Sequence, residues 1–295
     1  MPDTDVDEVE PLASERRLLL RICYRMLGTV DEAEDAVQET YARWCRLSED
    51  ERGAITSRRA WLVKAASRVC LDVLQSARVR RERYVGEWLP EPLPPDGGWA
   101  SMDVDEAIEL DRSVSMALLV VLETMTPAER VVFVLHDVFG LSFDEASEIV
   151  GRSSQACRQL AVSARRRVQA RKIEPRTDGA RAELVAAFRE AWQARDLERI
   201  VAMLDPSASI VTDGGGIVSA SLTPVFGPEP IAKLLVGAFD RQPGLRLEPS
   251  TVNGEPGLVG RAGDEIVAVI AFGIAGRLVR DLWVVRNPEK LRRWN

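Results

Sequence analysis

A stretch crowded with proline and glycine constrains this chain most. Residues 85–103 contain Pro90, Pro92, Pro94 and Pro95 together with Gly86, Gly97 and Gly98. Proline lacks an amide hydrogen and biases the residue before it away from helix, so no helix runs through this stretch, which reads as an extended linker. The linker also carries Trp88 and Leu89 just before Pro90, in the string Trp88-Leu89-Pro90-Glu91-Pro92. A solvated linker has no need of large apolar side chains, so these read as anchors onto a neighbouring surface. The flanking segments must then fold separately, as expected for 295 residues.

Residues 11–84 are almost free of proline and glycine after Pro11 and read as helices. Leu12, Leu19, Ile22, Cys23, Met26 and Leu27 recur at helical spacing up to Gly28. Asp31 is placed to cap a second helix, whose apolar stripe is Ala33, Ala36, Val37, Tyr41 and Trp44. Its opposite face shows Glu32, Asp35, Gln38 and Glu39. After a polar break at 48–56, a long helix is expected from Ser57 to Val79, with Trp61, Leu62, Ala65, Val69, Leu71, Val73 and Leu74 on its apolar positions.

Residues 104–172 are helical again. Thr126 caps a helix with Pro127 at its first position, and that helix closes at Gly140. Ser142 opens a short helix ending at Gly151. A further helix from about Ser153 turns Ala156, Cys157, Leu160, Ala161, Ala164 and Val168 inward. A short helix, a glycine turn and a basic helix make the helix-turn-helix pattern. The outer face of the last helix holds Gln155, Arg158, Gln159, Val162, Ser163 and Arg166, side-chain types that read base edges and phosphates in a major groove. A plain three-helix core with a solvated basic face is the competing reading.

Residues 178–295 change character. A helix (181–194) precedes the expected strands SASIVT, GIVSASL, LRLEPSTV, EIVAVIAF and RLVRDLWVV, with a second helix near 229–239. This predicts an α+β domain, a curved antiparallel sheet against helices. Gly214, Gly215 and Gly216 after Asp213 read as a tight hairpin turn; the context and lysine of a phosphate loop are missing, so no nucleotide site is expected.

Several chemistries are excluded. Cys23, Cys45, Cys70 and Cys157 form no C-x-x-C pair and have no nearby His, so no zinc or redox motif is encoded; buried, reduced thiols are the expectation. The single histidine, His136, rules out a His-based triad and reads as a packed helix residue. The longest apolar runs, VVFVL and IVAVIAF, are far short of the ~20 residues of a membrane span, and the acidic N-terminus has no apolar targeting core. A cytoplasmic protein with no metal, cofactor or catalytic residue is expected.

The net charge of −7 speaks against nucleic-acid binding until it is resolved along the chain. Residues 31–51 carry eight acidic groups against two basic, whereas 57–84 carry eight basic against two acidic. Residues 87–111 hold eight acidic groups and no basic one, and 152–172 hold seven basic groups and no acidic one. One such run would be a solvated helix face. Two basic helical segments, each beside an acidic block, suggest DNA binding that depends on a partner.

DEAEDAVQETYARW (31–44) followed by AWLVKAASRVCLD (60–72) resembles the second region of bacterial sigma factors of the extracytoplasmic-function class. TPAERVVFVLHDVFGLSFDEASEIVGRSSQACRQLAVSARRRV (126–168) resembles their fourth region. The remainder is similar to the subgroup with a SnoaL-like C-terminal extension, through YVGEWLPEP (84–92), DGGG (213–216) and NPEKL (287–291). The resemblance implies a multidomain chain. It comprises an all-α region 2 (11–84), a linker (85–103), an all-α helix-turn-helix region 4 (104–172) and an NTF2-like α+β cone (178–295).

It also implies a subunit that binds RNA polymerase core and directs it to promoters. Asp35, Gln38 and Glu39 would dock on core. Arg58, Arg59, Trp61, Lys64 and Arg68 would melt and hold the −10 element, since single-strand capture needs a basic groove with aromatic faces. Gln155, Arg158, Gln159, Val162, Ser163 and Arg166 would read the −35 element. Many members have Asn in place of Arg68, a basic residue in place of Ser163, and Lys in place of Ile217. Trp88, Leu89, Pro90, Asp213, Gly214, Gly215, Gly216, Asn287, Pro288 and Leu291 would form an interdomain regulatory contact. A small ligand in the cone is left open. The rivals are a stand-alone helix-turn-helix regulator with a ligand-sensing domain, and a cyclase-type enzyme fused to a DNA-binding part.

Overall fold

The computed structural model describes residues 6–81, 84–95, 115–171 and 178–295. The later half of the linker and the start of the 104–172 segment lie outside them. The described residues form two compact units, one within Met1–Arg80 and Leu122–Arg167 and the other within Arg81–Val121 and Val168–Asn295.

The first unit is helical. Helix α1 (Val6–Leu27) stops at Gly28, whose φ of +83° suits a residue without Cβ. Helix α2 (Val30–Arg46) begins two residues earlier than expected: Thr29, in place of Asp31, occupies the cap position, and Asp31 lies in the first turn, where its charge favours the helix dipole. Val30, Ala33, Ala36, Val37 and Thr40 are its buried stripe, while Tyr41 and Trp44 are half-buried. Cys45, off that stripe, is exposed, unlike the buried Cys23, Cys70 and Cys157. The polar break holds a short helix, α3 (Glu49–Gly53), closed by a Ser48–Glu51 capping box. Helix α4 spans Arg58–Arg81.

Helix α5 is Met116–Glu123, and α6 (Pro127–Phe133) opens on a Thr126–Glu129 capping box and runs into a π turn at Val134–Val138. His136, in that turn, stacks on Phe143 at 3.8 Å and donates from Nδ1 to the Leu141 carbonyl at 2.7 Å. Helix α7 (Phe143–Val150) has the same capping device at Ser142 and Glu145, and Gly151 ends it at φ +68°. Helix α8 is Ser154–Ala170. Cys157 and Ala161 of α8 pack on Val132 of α6, with Phe143, Val150 and Leu160 around them, which closes the helix-turn-helix core.

The second unit is α+β. Helices α9 (Asp178–Gln193) and α10 (Leu197–Met203) precede β1 (Leu204–Asp213), and α11 (Pro228–Arg241) follows the two-residue β2 (Val225–Phe226). The chain finishes with β3 (Leu245–Val252), β4 (Glu255–Ala262), β5 (Glu265–Ala275), β6 (Leu278–Val285) and a 3₁₀ helix at Pro288–Trp294. Strand order is β2-β1-β6-β5-β4-β3.

Three expectations need correction. The sheet is mixed, because β1 pairs with β6 in parallel. GIVSASL is not a strand: the chain leaves β1 at Asp213, and Ile217 and Val218 donate back to the Gly214 carbonyl, so this segment turns and regains β1 only at β2. Its Ile217 and Leu222 are exposed and have no sheet face to pack on. Conversely, β4 was hidden by its low-propensity residues Pro256, Gly257 and Gly260. A Cβ on Gly257 would lie 2.6 Å from Val252 Cγ2 and 2.7 Å from the Ile270 carbonyl, so close strand approach demands glycine there.

Both sheet faces are covered. Ala268, Ile270 and Phe272 of β5 join Phe188 and Trp192 of α9 and Ile231 and Leu235 of α11 on one side. Val269 and Ala271, alternating with them, join Trp283, Leu89, Met116 and Leu291 on the other. This two-sided burial accounts for the unbroken apolar run of β5.

Candidate functional site

On α2, Asp35 and Gln38 are exposed, and Glu39, half-exposed, is paired with Arg43 at 2.9 Å and Arg46 at 3.8 Å. Apolar residues every third or fourth position face inward, which turns these three to solvent on one face.

At the start of α4, Arg58 pairs with Glu15 at 3.0 Å, Arg59 is exposed, and Trp61 meets Trp44 edge-on with centroids 5.2 Å apart. Lys64 and Arg68, one turn apart, both engage Glu148 of α7. Lys64 forms an ion pair with its carboxylate, and Arg68 donates to its carbonyl at 2.8 Å. Beside this contact Leu18, Ile22, Trp61, Phe139, Leu141 and Ile149 line a cavity of about 510 Å³. Trp61, Lys64 and Arg68 therefore share one face of α4, with Arg58 and Arg59 turned off it, and Lys64 and Arg68 are occupied by the helix-turn-helix.

On α8, Gln155, Arg158, Gln159, Val162 and Arg166 are exposed on one face, with the Arg158 guanidinium 5.4 Å from the Phe143 ring centre. Ser163 does not join them. Its hydroxyl points inward and donates to Glu129 Oε1 at 2.6 Å. Burial acts to raise the Glu129 carboxyl, but hydrogen bonds from Ser163 and Thr126 outweigh it and hold the group low. The position that the resemblance assigns to DNA is here a helix-to-helix tie.

The linker and extension motifs converge on Asp213, fully buried at the end of β1. Parallel pairing sets Asp213 beside Val285, so the chain ends of β1 and β6 come together and bring Asn287 to the glycine loop. Asp213 Oδ1 accepts from Tyr84 Oη at 2.6 Å and the Gly215 amide at 3.0 Å. Asp213 Oδ2 accepts from the Leu89 amide at 3.0 Å and Lys290 Nζ at 2.7 Å. The Asp213 carbonyl accepts from the amides of Arg286 and Asn287. Lys290 Nζ also lies 4.1 Å from the Trp88 ring centre, a cation–π contact. Asn287 Nδ2 donates to Tyr84 Oη at 2.9 Å, and Asn287 Oδ1 caps the 3₁₀ helix that Pro288 opens.

All three glycines are needed by contact, and Gly215 and Gly216, at φ +65° and +70°, by turn geometry as well. A Cβ on Gly215 would fall 2.5 Å from Asn287 Nδ2, and one on Gly216 2.9 Å from Val85 Cβ. Gly214 faces the Val218 carbonyl as closely. Pro90 is buried, Trp294 Nε1 donates to the Pro92 carbonyl at 2.9 Å, and Leu93 exchanges hydrogen bonds with Asn253. The WLPEP segment is thus a strap hydrogen-bonded along the sheet face. All ten residues expected at this contact are brought together within the second unit.

Sequence reading missed Tyr84 and Lys290. Lys290 was findable, since a 3₁₀ helix has three residues per turn and stacks it on Asn287. Tyr84 carried no signal beyond its place before the linker. Burial first, and then the hydrogen bond to Asp213, push its phenol well above the usual range.

Comparison with known proteins supplies the family. The family model for sigma-70 region 2 matches residues 12–80, and that for sigma-70 region 4 matches 115–168, which defines the chain as a sigma-70-type protein. The ECF RNA polymerase sigma factor SigJ of Mycobacterium tuberculosis is 37% identical over 96% of this chain and 93% of that relative. The probable ECF sigma factor SigI of the same species is 32% identical over 94% of this chain and 92% of that relative. The crystal structure of SigJ superposes with a TM-score of 0.77 at 32% identity, covering 97% of this chain and 98% of that one. The chain therefore belongs to the extracytoplasmic-function sigma factors of RNA polymerase. It binds polymerase core and promoter DNA and directs promoter-specific initiation; the stand-alone regulator is not favoured. Among the described residues, no helix is long and apolar enough to cross a membrane.

Proposed function

We propose that the SnoaL-like extension regulates initiation in the cytoplasm through the strap it holds, and that the free chain keeps its DNA-binding surfaces closed. The observation that carries this reading is the buried Asp213–Lys290 pair at 2.7 Å, with the Leu89 amide on the same carboxylate oxygen. A buried charge pair is costly to form and costlier to break by halves, so the strap has one well-defined docked state. The α2 face of Asp35, Gln38 and Glu39 docks on core. Arg58, Arg59, Trp61, Lys64 and Arg68 take the −10 strand, and Gln155, Arg158, Gln159, Val162 and Arg166 read the −35 element. Ser163 acts through Glu129 instead of touching a base.

Closure of the DNA-binding face rests on Glu148. Lys64 is 38% and Glu148 63% exposed, so their pair contributes only about 0–1 kcal/mol, weak enough for core binding to displace. The extension is not catalytic in this reading: Asp213 is consumed by the strap, and Asp281 by Ser209 and Arg171.

The test is run-off transcription with purified core and full-length protein carrying Lys290→Met or Trp88→Ala. The expected result is altered promoter-specific initiation with core affinity changed in the same variants. Output and core affinity both equal to the parent chain would defeat the regulatory role.

A further inference from the structure

The second unit encloses a cavity that the sigma-factor activity does not use. It has a volume of about 360 Å³ and lies between α11 and the inner sheet face, with Trp192, Ile210, Leu235, Leu247, Ile270 and Val284 on its apolar wall. That size and lining suit a small organic ligand with an apolar body. Two arginines, Arg241 and Arg286, also line it, and no Asp or Glu is among the described residues that do.

The arginines are the unusual feature. Arg286 donates to the Ser219 carbonyl and Arg241 to the Leu234 carbonyl at 3.0 Å, and neither has a carboxylate partner among the described residues. Burial and the neighbouring Arg241 charge both disfavour the charge on Arg286. Arg241 is exposed and Arg286 half-buried where they line the cavity; two like charges this close raise each other's energy, and a bound anion reverses that term. Guanidinium groups take carboxylate or phosphate through N–H donors, and each of these arginines has one terminal nitrogen on a backbone carbonyl and further N–H donors beyond it. Gln242 and Ser221 add polar atoms to the same lining.

We infer that this cavity binds a small amphipathic anion, its apolar body against Trp192, Ile210 and Ile270 and its carboxylate or phosphate head on Arg241 and Arg286. The Arg286 amide donates to the Asp213 carbonyl at 2.7 Å, so the head group would sit one residue from the strap's anchor. Binding itself does not depend on the regulatory reading and is measured without transcription.

The experiment is calorimetric titration of the full-length protein with decanoate, decyl phosphate and decanol. The expected result is one saturable site for at least one of the two anions, at least about tenfold tighter than for decanol, a difference of about 1.4 kcal/mol or more. Which anion binds better tells carboxylate from phosphate. Arg241→Gln and Arg286→Gln, each checked for fold by circular dichroism, should remove that preference while leaving decanol unchanged. Ala238→Phe, which fills the cavity from α11, should abolish binding of all three. Equal affinity for anions and alcohol, no saturable site for any probe, or binding undiminished in Ala238→Phe would overturn the inference.

Discussion

Lys290 Nζ sits 2.7 Å from Asp213 Oδ2 with both side chains buried, and the two residues are 77 positions apart. Removing one member of such a pair strands the other charge. Lys290→Met should cost about 3–5 kcal/mol of stability in urea unfolding, and pairing it with Asp213→Asn should recover part of the loss. Equal stability of Lys290→Met and the parent would mean that the other donors on Asp213 suffice.

Tyr84 Oη donates to Asp213 Oδ1 at 2.6 Å, and its phenol is held above the ordinary value of 10.0 by burial and by that carboxylate. A raised pKa in the folded state means that the folded chain keeps a proton the unfolded chain gives up. Its contribution is therefore complete below pH ~10 and falls as pH rises from there. Tyr84→Phe should lower stability at neutral pH by about 1.5–3 kcal/mol, the worth of a hydrogen bond to a charged group, and should flatten the decline above pH ~10. Thermal unfolding from pH ~8 to pH ~12, about two units to either side of the ordinary phenol value, measures both.

Gly215 and Gly276 have φ of +65° and +56°, but only Gly215 has a neighbour where a Cβ would go. Gly276→Ala should cost only the left-handed backbone term, about 1–2 kcal/mol. Gly215→Ala should cost more, because Asn287 must also move. Chemical denaturation of the two variants side by side isolates the contact; identical losses would remove it from the account.

In the proposed reading the Glu148 carboxylate holds Lys64 away from single-stranded DNA, while Arg68 rests on the Glu148 backbone carbonyl, which a side-chain substitution leaves in place. Glu148→Ala should change stability by no more than about 1 kcal/mol, as exposed ion pairs do. The same variant should raise the affinity of the free protein for a −10 single-stranded oligonucleotide, read by fluorescence anisotropy. Unchanged affinity would show that Glu148 does not mask that face.

Arg166 and Val162 share the exposed face of α8 but differ in chemistry. Arg166→Ala should weaken holoenzyme binding evenly across promoter sequences and lower the salt slope by about one. Val162→Ala should leave the slope alone and shift preference at one −35 base pair, since an apolar side chain contacts a thymine methyl and no phosphate. Promoter titrations at several salt concentrations separate the two.

Much of this protein was legible in its sequence because the signals were local. Capping residues such as Thr126 and Ser142, the stop at Gly151, and the inward stripe of Cys157, Ala161 and Ala164 follow from 3.6-residue periodicity and hydrogen-bond needs within a few positions. The segmented charge pointed to DNA and a partner for the same reason, and the resemblance carried by the two helical motifs implied that the partner is polymerase. The spacing of Ser163 on α8 permits an inward as well as an outward hydroxyl, and Glu129 on another helix takes it inward.

The strap and the cavity were decided by tertiary structure. Asp213, Tyr84 and Leu89 carry no periodic signal, and they meet Lys290 because β1 and β6 pair in parallel and end side by side. The low-propensity strand β4 forms because its glycines admit the neighbouring strands. The sequence determined which helices form and what they can touch. The packing of distant strands decided where the buried charges go, because their desolvation is tolerable only where partners far apart in the chain are brought within hydrogen-bond reach.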